Sequence, residues 1–138
     1  MIERTVTPIL RKLSETFPVV TLTGPRQSGK TTLCRTVFPD LPYVNLEAPD
    51  QRALAQEDPR GFLARMPDGA VLDEIQRAPD LVSYVQTIVD EVKWQNIPVR
   101  YILTGSQQFE VTRSVNQSLA GRTALLRLLP LSIEELAS

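Results

Sequence analysis

Residues 24–31 read Gly-Pro-Arg-Gln-Ser-Gly-Lys-Thr, set between the apolar run VVTLT at 19–23 and the helix-patterned TTLCRTVF at 31–38. Few segments constrain a fold as tightly. Backbone N–H groups can wrap an anion only where side chains are missing at the tight turns, and Gly24 and Gly29 supply that freedom. The loop therefore has to join the end of a strand to the start of a helix, whose unpaired N–H groups and positive dipole end complete the cradle. The segment is a full match to the phosphate-binding pattern G-x-x-x-x-G-K-[ST]. Coincidence explains it poorly: with glycine at about 7% of residues, four specified positions fall together in well under ~1% of chains this long.

The chemistry assigns each position a task. Lys30 can reach the β- and γ-phosphate oxygens as a point charge, and the Thr31 hydroxyl can ligate Mg²⁺. The expected nucleotide-binding set is Gly24, Pro25, Arg26, Gln27, Ser28, Gly29, Lys30, Thr31 and Thr32. Arg26, at a variable position of the loop, is expected to face solvent or a partner.

The rest of the chain reads as strands alternating with helices. Thr7 and Pro8 suit a helix N-cap and first position, followed by Ile9, Leu10, Leu13 and Phe17 on one face and a stop at Pro18. YVNLE at 43–47, GAVLDE at 69–74, VRYILTGS at 99–106 and TALLRLL at 123–129 read as further strands. Two short helices broken at Pro59 are expected between the second and third strands. A longer one follows the third, with Leu81, Val82, Val85, Ile88, Val89 and Val92 inward. SVNQSLAG and LSIEELAS read as helical, Tyr84 and Trp94 as packing residues, and Cys34 as a small buried hydrophobe. The pattern predicts an α/β three-layer sandwich, with a five-stranded parallel sheet and helices on both faces. Its 138 residues suit one domain, spanning 1–138.

Composition narrows the function. Lys plus Arg is 15 and Asp plus Glu is 16, so nucleic acid is not indicated as a partner by overall charge. The absence of histidine removes imidazole metal sites and histidine-based catalysis. No apolar run approaches the ~20 residues of a bilayer span, and residues 1–10 lack a signal-peptide core, so a cytoplasmic protein with no membrane association is expected.

About forty residues after the loop, AVLDEIQ ends an apolar strand in two acids. This suits a Walker B element, with Asp73 holding the Mg²⁺ shell and Glu74 polarising an attacking water. The strand ending LTGSQQ would bring Thr104 and Ser106 to the same sheet edge; either could sense the γ-phosphate, and the residues alone do not choose between them. A GTPase would carry N-K-x-D and a small-molecule kinase an arginine-rich lid; neither is present. Water-directed ATP hydrolysis fits best, ahead of a non-hydrolysing nucleotide-binding module and a small-molecule kinase.

Taken together, GPRQSGKTTL, YVNLEAPDQRALAQEDPRGF, VLDEIQRAPDL, ILTGS and SLAGRTALLRLLPLSIEEL resemble the largely uncharacterised bacterial and archaeal AAA-type ATPases. The resemblance implies strand order 5-1-4-3-2, with the LTGS strand between those leading to Lys30 and Asp73. It also implies ATP rather than GTP, with Mg²⁺, and a C-terminal domain beyond these residues, so that the chain reads as truncated after the fifth strand and without a sensor-2 region. Arg122 matches the family's SLAGR segment, where an arginine could act as a finger on developing charge or partner a helix C-terminus. The expected partners are ATP, that domain or a separate protein, and further copies of the chain.

Overall fold

The computed structural model describes residues 6–24, 29–95, 99–105 and 123–127. The described chain runs α1 (Val6–Thr16), β1 (Val19–Thr23), α2 (Lys30–Val37), β2 (Tyr43–Asn45), α3 (Pro49–Glu57), α4 (Pro59–Ala64), β3 (Gly69–Asp73), a 3₁₀ turn (Ile75–Arg77), α5 (Leu81–Gln95), β4 (Arg100–Gly105) and β5 (Thr123–Arg127).

All five strands pair in parallel, in the order β2-β3-β4-β1-β5. Read from the other edge, this is the expected 5-1-4-3-2. Central parallel strands lie between two helical layers and need apolar residues on both sides. Every residue of β1 and β3 is buried accordingly. Side chains alternate between the layers. Ala70, Leu72, Tyr101 and Leu103 pack with α3, α4 and α5, whereas Val71, Ile102, Val20 and Leu22 pack with α1 and α2.

The boundaries follow local chemistry. α1 already includes Val6 and Thr7, so Pro8 lies within the first turn rather than opening the helix; N–H groups there have no intrahelical partner, and proline forfeits nothing. The break between α3 and α4 is Asp58, one residue before the expected Pro59. Its carboxylate accepts the Gly61 N–H at 3.1 Å as an N-cap, with Pro59 at the first helical position. β2 stops at Asn45, earlier than the pattern predicts, because Asn45 Oδ1 accepts the Glu47 N–H at 3.0 Å and folds the chain into a turn. On α5, Leu81, Val82, Val85 and Val89 are buried while Ile88 packs at the margin. Tyr84 departs from expectation: it is 36% exposed, beside the buried stripe of that helix rather than within it. Trp94's side chain and the segments SVNQSLAG and LSIEELAS lie outside the described residues.

Gly69 opens β3 at φ 107°, and a Cβ there would meet the Arg100 carbonyl oxygen at 1.8 Å. A side chain at this position would push apart the two strands that carry Asp73 and Thr104.

Candidate functional site

Parallel pairing sends the C-terminal ends of β1, β3 and β4 to one sheet edge, where loops and helix N-termini converge. Gly29 turns the chain into α2 in the left-handed region, at φ 83° and ψ 20°. Leu33 N–H bonds to the Gly29 carbonyl at 2.9 Å, so helical pairing starts there and the N–H groups of the first turn have no intrahelical partner. Lys30 is 3% exposed, and its Nζ donates to the Gly24 carbonyl at 2.7 Å. The ammonium thus ties the first residue of α2 back to the end of the chain that leaves β1.

Thr31, one residue on, donates its hydroxyl to Asp73 Oδ2 at 2.8 Å. Asp73 is the last residue of β3 and 4% exposed. A buried carboxylate is costly unless hydrogen-bonded. Here three hydroxyls serve it: Thr31 and Tyr43 donate to Oδ2, and Thr104 to Oδ1. Thr104 is completely buried, and its Oγ1 also accepts the Glu74 N–H at 3.1 Å. One threonine on β4 therefore holds both acids at the end of β3.

Glu74 is the only non-glycine residue with positive φ among the described residues, at φ 60° and ψ 52°. A regular strand would point it away from Asp73; the left-handed turn re-aims it, at a cost of about 1–2 kcal/mol. Its side chain is nearly buried and accepts a hydrogen bond from Gln76 Nε2. Strain of this kind gathers at functional sites.

The structure thus brings together Gly24, Gly29, Lys30, Thr31, Asp73, Glu74 and Thr104, with Thr32 exposed on the first turn of α2. Pro25, Arg26, Gln27, Ser28, Ser106 and Arg122 lie outside the described residues. Sequence reasoning missed Tyr43. Burial first, then the hydrogen bond to Asp73 and its charge, hold this phenol well above its ordinary pKa, so it stays protonated as a donor. Arg35 of α2 lies over its ring, 5.0 Å from the centroid. The tyrosine stands in an ordinary strand pattern, and only the register of β2 on β3 brings it under Asp73. Cys34, on the same helix, is fully buried as expected; burial and then the Asp73 charge push its thiol up to about 12.

The donor set fits Mg²⁺. Among the described residues no group of three or more Asp, Glu, Cys or His surrounds a cation position. The protein offers one carboxylate and one hydroxyl in contact, Asp73 and Thr31. That arrangement suits a hard cation that keeps water and takes its other ligands from phosphate oxygens.

Fold and site together define an α/β domain of the P-loop ATPase class. The AAA domain family matches residues 16–137, and the chain belongs to that family. It is 35% identical over 130 residues to two relatives, the uncharacterized proteins Mb2031c of Mycobacterium bovis and Rv2008c of Mycobacterium tuberculosis. Those matches cover 94% of this chain but only 29% of each relative's length. In fold it is similar to the Walker-type ATPase PABY2304 of Pyrococcus abyssi, with a TM-score of 0.67 at 15% identity over 98% of this chain and 55% of that one. Among the described residues no helix is long and apolar enough to cross a membrane.

Proposed function

We propose that this AAA domain binds ATP with Mg²⁺ and hydrolyses it. The observation that carries the reading is the hydrogen-bonded chain Thr31–Asp73–Thr104–Glu74, which ties the helix after the loop to the ends of two strands. In this reading the loop from Gly24 to Gly29 and the first turn of α2 hold the phosphates, and Lys30 leaves the Gly24 carbonyl for the β- and γ-oxygens. Thr31 and Asp73 are the Walker residues that hold Mg²⁺, which supplies charge neutralisation at the phosphates. Glu74 accepts a proton from water, and Thr104 keeps it in place. Ser106 as a second polar contact and Arg122 as a finger belong to the same proposal.

The Glu74→Gln variant tests it. Phosphate release should fall at least about tenfold, on the scale of a lost general base, while ATP binding measured by calorimetry persists. Unchanged turnover would refute the assignment of Glu74.

One observation favours a second reading, a nucleotide-binding module that does not hydrolyse: the Glu74 carboxylate is already engaged by Gln76. It requires ATP binding with phosphate release no faster than a buffer blank. Because the chain spans 29% of its relatives' length, we propose that hydrolysis changes contacts with a further domain, a partner protein or another copy of the chain.

A further inference from the structure

Asp73 has more donors than a cation-holding carboxylate needs. A carboxylate offers about four acceptor positions. Thr31 and Tyr43 take the two on Oδ2 and Thr104 takes one on Oδ1, leaving a single position, on Oδ1, for a water of a hydrated cation. The two threonines belong to elements that already meet at the loop. Tyr43 comes from β2, the edge strand, and is held at both ends. Its hydroxyl is on Asp73, and its ring lies under the guanidinium of Arg35, from the helix that carries Lys30 and Thr31.

We propose that Tyr43 is a positioning residue of the cation site. Its hydroxyl fixes the rotation of the Asp73 carboxylate about Cβ–Cγ, so that the one open Oδ1 position faces the Mg²⁺ accompanying the nucleotide. The inference rests on the ATPase reading above. Without the hydroxyl, an acceptor position on Oδ2 opens beside Thr31, and the carboxylate plane keeps only its two threonine donors. The cation then meets a carboxylate whose orientation is no longer unique.

Tyr43→Phe isolates this effect, because the ring, its packing against the core on the α1–α2 side of the sheet and its contact with Arg35 all remain. Calorimetric titration of the full chain with ATP, in EDTA and across a series of MgCl₂ concentrations, separates phosphate binding from the cation's contribution. The expected result is a magnesium-free ATP affinity within about twofold of wild type. The half-saturating Mg²⁺ concentration should rise roughly three- to tenfold, the scale of one typical net hydrogen bond, because the carboxylate loses an orienting partner and not its contact with the cation. Arg35→Gln, which loosens the ring but keeps the hydroxyl, should shift that concentration in the same direction by about twofold.

An unchanged Mg²⁺ response in Tyr43→Phe overturns the assignment while leaving the ATPase reading intact. A lower half-saturating concentration overturns it too, showing that the hydroxyl competes with the cation. An equal loss of magnesium-free affinity would make the role structural and overturn it likewise. If wild-type ATP affinity ignores Mg²⁺ altogether, the cation-site reading and this inference fall together.

Discussion

Thr104→Val removes one oxygen from the centre of the site and keeps the side chain's volume. Thr104 is completely buried; its hydroxyl donates to Asp73 Oδ1 and accepts the Glu74 N–H at 3.1 Å. Valine does neither. The stranded Glu74 N–H costs about 1–3 kcal/mol, and the bond to the charged Asp73 contributes about 1.5–3 kcal/mol more. A loss near 3–5 kcal/mol is a large share of the roughly 5–15 kcal/mol that holds a domain together. At this chain length it corresponds to a fall in Tm of about 10–15 °C. Thr104→Ser is the control: it keeps both bonds and gives up one methyl group, about 1 kcal/mol. Thermal unfolding of the full chain, followed by circular dichroism, should rank wild type above serine and serine well above valine. Phosphate release should follow the same order, because valine frees both acids at once. If valine melts within about 2 °C of serine, the buried hydroxyl does not join β4 to β3 and the reasoning fails.

Two further perturbations address the frame around the site. Gly69→Ala places a Cβ where the Arg100 carbonyl oxygen would be 1.8 Å away, at φ 107°, and backbone atoms cannot yield cheaply; a loss of at least about 2 kcal/mol in urea unfolding is expected, and a near-wild-type midpoint would deny the close approach of β3 and β4. Cys34 and Tyr101 have ordinary pKa values of 9.0 and 10.0, and burial raises both to about 12, so each is neutral in the fold where the unfolded chain would ionise. Their contribution to stability is full below about pH 9 and is lost as pH rises toward about 12. Urea midpoints should decline across that window, less steeply in Cys34→Ala, and an equal decline would contradict the thiol's burial.

The parts of this molecule legible in its sequence are those where local chemistry and long-range structure agree. The loop at 24–31 must turn at Gly24 and Gly29 whatever surrounds it, and the runs at 19–23, 69–73 and 100–105 are apolar because both faces of a central strand are covered. Proline placed the helix starts to within a residue or two. Strand order came from the family resemblance, since no single strand encodes its neighbour. Tyr84 misled because aromatic residues on a helix face can pack or lie open, and the choice depends on what crosses that face. Tyr43 was invisible for a related reason. A tyrosine in a β-branched context is ordinary strand chemistry, and its meeting with Asp73 exists only once β2 docks beside β3.

That dependence bears on what the sheet does for the site. Loop, acids and threonine each come from a different strand, and no two adjoining strands hold the whole set: Lys30 and Thr31 follow β1, Asp73 and Glu74 end β3, and Thr104 lies between them on β4. Thr104 is the only one of these side chains whose strand neighbours both others, which is why a single hydroxyl reaches Asp73 and the Glu74 backbone together. A small displacement of β4 relative to β3 would therefore change the aim of the carboxylate and of the left-handed Glu74 in one movement. Held hydrogen-bonded elements of this kind have discrete arrangements rather than a continuum. The left-handed turn at Glu74 and the shared hydroxyl at Thr104 thus make the aim of both acids depend on one seam, that between β3 and β4.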